Sequence, residues 1–187
     1  MEFAETAEHR LIRESLRDLA DDFGREYWTS HVRNREFPTE YWETLAENGW
    51  LGVAIPEEYG GEGMGMLEMS IVVEELDRAG GQAGVFFTLV PVFGGVSLLE
   101  HGSEGQKEEY LPALADGEEI FSLGMTEPTA GTNTLQMETT ATQDGDEYVI
   151  HGTKTFISGV ESATTMLLVA RTSPYDPDNP THGLTVF

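Results

Sequence analysis

Hydrophobic spacing changes character near Gly117, from three- and four-residue steps to short β-rich runs, and a chain patterned this way is expected to fold as helices followed by sheet. In the first part, Leu11, Ile12, Leu16, Leu19, Ala20 and Phe23 place an amphipathic helix over Glu5 to Phe23. A second helix fits Thr39 to Asn48, opened by Pro38 and stopped by Gly49. Further helical pattern covers Leu67 to Arg78, Gln82 to His101 with an interruption near Pro91, and Glu104 to Leu114. The glycines and proline from Ile55 to Gly63 mark a loop.

Beyond Gly117 the strand candidates are Ile120 to Met125, Met137 to Thr142, Glu147 to Ile150, Thr155 to Ile157 and Met166 to Arg171, with Asp144-Gly145 as a hairpin turn. Ser173 to His182 carries three prolines and reads as an exposed loop. The run Gly183 to Phe187 reads as a strand ending without a closing partner, and so as a truncated domain. The fold class expected is α+β: a helical bundle over residues 1–118, then an incomplete antiparallel β-barrel over 119–187.

Charge excludes one class of partner. With 34 acidic against 10 basic residues the net charge is -24, the wrong sign for neutralising nucleic-acid phosphates. Only Lys107 and Lys154 are lysines. The acidity fits either a solvated surface or a protein working in concentrated salt, where self-repulsion is screened, and lysine depletion favours the second. The absence of cysteine removes disulfides, thiolate metal sites and a cysteine nucleophile. An acidic start and the lack of an apolar run approaching ~20 residues give no signal peptide and no membrane span, so the expected location is cytoplasmic.

Metal and nucleotide motifs are missing too. The five histidines show no i,i+4 pairing, and no metal site is expected. Gly60 to Gly65 lacks the preceding strand and glycine spacing of a dinucleotide fingerprint. The stretch Met125-Thr126-Glu127-Pro128-Thr129-Ala130-Gly131-Thr132-Asn133 leaves a predicted strand with hydroxyls, a proline-fixed turn and a glycine that lets a ligand approach. On chemistry alone it is either an ordinary turn or a cofactor loop.

That stretch resembles the TEPxAGSD motif of the acyl-CoA dehydrogenase family, and three more segments follow the family's order. Gly49 to Gly52 running into Ile55 to Gly61 resembles the loop between early helices. Gly105 to Leu114 with Gly117-Glu118 resembles the helix before the β domain, and Asp144 to Ser158 the hairpin that ends in K-x-W-I-T. The resemblance implies a helical domain and most of a β domain, with the family's carboxyl-terminal four-helix domain absent.

It also implies FAD as cofactor, an acyl-CoA substrate, an electron-transfer flavoprotein as electron acceptor and a homo-oligomeric full-length protein in fatty acid metabolism. Cofactor-binding positions carried over are Leu123, Met125, Thr126, Gly131, Thr132, Phe156, Ile157 and Ser158. Thr126 matches the threonine bonded to the flavin ring, with the backbone around Met125. Gly131 and Thr132 match the pyrophosphate contacts, and Thr132 also lies where acyl-CoA is bound. Phe156 stands in place of a tryptophan that packs on the isoalloxazine, and Ser158 in place of a threonine near flavin N5. Asn133 for aspartate, Thr132 for serine and Gly159-Val160 for asparagine-glycine depart from the pattern. No catalytic residue is assigned, since the family's glutamate base belongs to the absent domain and Glu127 is not that residue.

Two other functions remain compatible with the same residues: a flavin-dependent oxidase or monooxygenase on this scaffold, and a non-catalytic binding or assembly module. The charge generates its own prediction. Thermal melts should show the chain markedly more stable in molar salt than in low salt, and equal stability in both would reject adaptation to salt.

Overall fold

The computed structural model describes residues 5–81 and 93–187, which divide into two compact units, Met1–Ile120 and Phe121–Phe187. Of the helix expected over Gln82 to His101, residues 82–92 lie outside the described residues.

In the first unit, helix α1 (Ala7–Asp21) opens on a reciprocal cap: the His9 amide donates to the Thr6 hydroxyl and the Thr6 amide to the His9 ring. Its buried Ile12, Leu16 and Ala20 repeat every four residues and form one stripe. Helix α4 (Met66–Arg78) opens where the Gly65 amide donates to Glu68, and it turns Met69, Val72 and Leu76 inward. Helices α3 (Thr39–Glu47), α5 (Ser97–His101) and α6 (Glu104–Ala115) complete the periodic elements. The Trp42 indole donates to the Gly117 carbonyl at 2.9 Å and so ties α3 to the end of α6.

Helix α2 (Arg25–Asn34) has no counterpart in the hydrophobic pattern. None of its residues is fully buried, so it lacks the stripe that reveals a helix. It is held by aromatic edges instead: Tyr27 meets Phe23 at 5.0 Å and Trp28 meets Tyr41 at 4.8 Å between ring centres. The expected loop at Ile55 to Gly63 contains a single 3-10 turn, Glu57–Tyr59. Gly61 is obligatory there, because a Cβ would sit 2.1 Å from the Ile55 carbonyl oxygen.

Glu75, on the inner stripe of α4, is the buried carboxylate among the unit's described residues, at 2% exposure. Arg13 and Arg17 reach it from α1 at 2.7 and 2.8 Å, and Arg78 from its own helix at 3.0 Å. The Arg17 guanidinium, with Arg13 and Arg78, overcomes burial and holds the carboxyl at about 2.

In the second unit, strands β1 (Phe121–Gly124), β2 (Thr140–Asp144), β3 (Glu147–His151) and β4 (Thr165–Arg171) lie in the order β1-β4-β2-β3, and β5 (Leu184–Val186) pairs with β4. The sheet is mixed where an antiparallel barrel was expected. β2 and β3 form the hairpin around Gly145, and β4 and β5 are antiparallel, but β1 runs parallel to β4 from Phe121↔Thr165 to Gly124↔Leu168. β2 touches β4 in parallel at Thr140↔Arg171. A parallel pair needs a long crossover, and the chain between β1 and β4 supplies one that contains the hairpin.

Two strand boundaries shift for local reasons. Thr155 to Ile157 is not a strand, because Phe156 sits in the left-handed region at φ 57 and turns the chain out of extension. The run from Met137 becomes strand only at Thr140, since the amides of Glu138 and Thr139 are taken by a side-chain carboxylate. Buried Arg171 folds the 173–182 loop back by donating to the Pro180 and His182 carbonyls at 2.9 and 3.1 Å.

The Glu75 cluster generates the prediction for this fold. Its pKa lies below the unfolded value of 4.5, so its stabilisation is complete above about 4.5 and is lost as pH falls towards 2. Glu75→Gln is expected to cost roughly 2–3 kcal/mol at neutral pH, discounted because Arg17 and Arg78 are half in solvent. Denaturant titrations of both proteins from pH 7 to pH 2 should converge in stability at the acid end.

Candidate functional site

The turn that follows β1 is closed on itself. The Glu127 amide donates to the Ala130 carbonyl at 3.1 Å and the Ala130 amide returns to Glu127 at 3.2 Å, with Pro128 and Thr129 at the tip. Ala130 is buried with Met137 and Val169, and Leu123 and Met125 pack on this cluster. Those two side chains therefore belong to the core. Thr126 is half-buried, while Gly131 and Thr132 are exposed.

The segment after β3 comes to this turn. The Thr155 amide donates to the Thr126 carbonyl at 2.9 Å, so Thr126 and the residue before Phe156 are adjacent. Phe156 then projects its ring into solvent at 93% exposure from its left-handed backbone. Ile157 is half-buried and Ser158 is exposed at the start of a turn. Among the described residues, no side-chain hydrogen bond engages the hydroxyls of Thr126, Thr132 or Ser158.

Sequence reasoning placed those positions but assigned no part to Lys154. Its side chain is 8% exposed, and its ammonium donates to the Met125 carbonyl at 3.0 Å and to Glu127 Oε1 at 2.9 Å. Glu127 also accepts the amides of Glu138 and Thr139, the latter at 2.9 Å. Burial alone pushes this carboxyl up, but the two amides and Lys154 outweigh it and hold it at about 2. A carboxylate so satisfied is a poor proton acceptor, which agrees with leaving Glu127 out of the catalytic set. The available signal was the scarcity of lysine, which makes one placed between two strands unusual.

Gly131 carries a second clue. A Cβ there would meet nothing within 4 Å, and its φ is not in the region that demands glycine. Nothing in the described fold explains glycine at this position, whereas a molecule resting against the backbone would. The arrangement thus offers free hydroxyls, an exposed aromatic face and an accessible glycine backbone, a set suited to a flat, acceptor-rich ligand. The histidines contribute no such centre, and among the described residues no group of three or more metal-ligating side chains comes together. No described helix is long and apolar enough to cross a membrane.

Comparison with known proteins gives these features a context. Residues 6–118 match the acyl-CoA dehydrogenase N-terminal domain, and residues 122–187 the acyl-CoA dehydrogenase middle domain. The acyl-CoA dehydrogenase FadE12 of Mycobacterium tuberculosis is 38% identical over 90% of this chain, which covers 43% of that protein. The 3-(aryl)acrylate reductase of Clostridium sporogenes is 35% identical over 97% of the chain and is covered to 48%. A solved glutaryl-coenzyme A dehydrogenase in complex with glutaryl-CoA superposes at TM-score 0.91 with 32% identity, over the whole chain and 47% of its own. The chain spans about half the length of these relatives. With both units matched in order and nearly end to end, the chain belongs to the acyl-CoA dehydrogenase family.

Proposed function

We propose that this chain supplies the helical half and one flavin-facing wall of an FAD-dependent enzyme that dehydrogenates acyl-CoA thioesters between the α and β carbons. The observation that carries the reading is the meeting of the Thr126 turn with the Phe156 segment through the Thr155 amide. That contact gathers at one edge of the β unit residues whose polar groups and ring the fold leaves unused.

In this reading Thr126 and the backbone at Met125 hold the polar edge of the flavin ring. Phe156 would cover a ring face, and the Ser158 hydroxyl would donate a hydrogen bond to the flavin. Gly131 and Thr132 bind the pyrophosphate through an unobstructed backbone and a hydroxyl, and Thr132 also meets the acyl-CoA. Ile157 would back the ring, and Leu123 would support this wall from the core cluster on which it packs. The bound flavin supplies the acceptor for the hydride that leaves the β carbon. The α-proton needs a carboxylate of raised proton affinity beside a polarised thioester carbonyl. Glu127, held at about 2, is unsuited, so the base is assigned to the half of the relatives' length that this chain does not cover. The same half is assigned the cover over the flavin and the contacts of a homo-oligomer, and electrons are passed on to an electron-transfer flavoprotein. A salt-rich setting fits the charge, and a cytoplasmic one the lack of cysteine.

A relative named as a reductase favours a second reading on the same scaffold, in which the net direction of electron flow differs. An oxidase is a third, told apart by rapid reaction of reduced flavin with air.

FAD titration is the test. Uptake is expected to be weak with the chain alone, and a yellow protein is expected when the carboxyl-terminal half of a relative is supplied. Gly131→Ala should leave the melting temperature unchanged or slightly higher and weaken FAD binding by about tenfold, the equivalent of ~1.4 kcal/mol. A completed protein that purifies colourless and takes up no FAD would falsify the flavoenzyme reading.

A further inference from the structure

We infer that Lys154 and Glu127 are positioning residues for the flavin wall: an ion pair that fixes the Met125–Thr126 backbone against Thr155 and thereby aims Phe156. The inference rests on the FAD reading above and adds two residues to it that make no contact with the cofactor themselves.

The geometry has three parts. Lys154 directs its ammonium to a backbone carbonyl, Met125, as well as to the Glu127 carboxylate. Glu127 uses its remaining lone pairs on the amides of Glu138 and Thr139, so the pair joins the turn after β1, the entry to β2 and the segment after β3. Next to it, the Thr155 amide bonds the Thr126 carbonyl, and one residue further Phe156 holds φ 57.

Chemistry explains why charge is used here. Buried ion pairs are weak devices for stability, because apolar side chains of the same volume do as well. No apolar side chain, however, can bond the Met125 carbonyl or turn two strand amides away from their ladder. An aromatic residue in left-handed conformation persists only where its surroundings over-determine it, and such residues gather at functional sites. Phe156 buries almost nothing, so packing of its own ring does not hold it there. The restraint comes from Lys154 and Thr155 on its amino-terminal side.

Lys154→Met keeps the apolar stem and removes the ammonium. Hydrogen exchange at the Thr155 amide is expected to speed up by about tenfold or more, while the amides of the β2–β3 hairpin keep wild-type protection. FAD affinity should fall by about tenfold, the loss typical of one charged hydrogen bond, and the visible spectrum of any flavin still bound should shift. A purely structural lysine would alter melting temperature and hairpin protection instead, leaving the spectrum of bound flavin as in the wild type. If Lys154→Met does not fold, Glu127→Gln replaces it, since its amide oxygen still accepts while the charge is gone; the same two changes are expected, smaller in size. Wild-type exchange at Thr155 together with wild-type FAD affinity overturns the inference. So does unfolding of both variants, because a pair required for folding is a core staple. Should the wild-type protein bind no FAD, the functional reading fails by itself, and the exchange comparison still decides whether the pair holds the turn.

Discussion

A carboxylate leaves water only when hydrogen-bond donors replace its hydration, and this chain has few cationic donors to offer. It concentrates them. Of 10 basic residues against 34 acidic ones, Arg13, Arg17 and Arg78 converge on Glu75 in the helical unit, and Lys154 on Glu127 in the β unit. Each buried glutamate joins elements distant in sequence: α1 to α4 in one case, and three segments of the β unit in the other. His9, Arg13 and Lys107 also pair with Glu68, Glu5, Glu74 and Glu104, and with 34 acidic residues to 10 basic ones the excess negative charge is left to solvent ions.

The two clusters solve the same problem by different chemistry. Around Glu75 the donors are guanidiniums, two of which remain half in solvent, so the carboxylate is neutralised at a helix–helix seam. Around Glu127 two of the three donors are backbone amides, and the single cation has a carbonyl to satisfy as well. The first arrangement tolerates sliding of long side chains. The second fixes backbone, and therefore fixes whatever that backbone presents.

How much of this was legible follows from which forces write themselves into spacing. Helices α1, α3, α4 and α6 were readable because each buries a stripe at helical period. Helix α2 was not, because edge-to-face aromatic contacts hold it with no residue fully buried. Thr155-Phe156-Ile157 has strand propensity in every residue, yet a backbone set by neighbouring bonds overrides it. The parallel pairing of β1 with β4 is a matter of long-range topology, on which local pattern is silent. For the candidate site, positions came from the motif resemblance, while the clamp beneath them did not. In sequence Lys154 stands out only as one of two lysines and Glu127 looks like any solvated charge; burial is what marks them as a pair.

The division of labour inside the β unit sharpens the functional reading. Leu123 and Met125 point into the core and Glu127 with Lys154 is fully engaged, so these residues answer to the fold. Gly131, Thr132, Phe156 and Ser158 do not: the glycine is unneeded by its backbone, the hydroxyls have no side-chain partner among the described residues, and the ring is in water. A left-handed aromatic is costly, by about 1–3 kcal/mol, and packing returns nothing for it here. Phe156 thus costs stability without contributing any, and the proposed ligand would account for it. Those residues adjoin a turn held by the Lys154–Glu127 pair, so a ligand received there as proposed would meet a preformed wall, with little ordering entropy to oppose its binding.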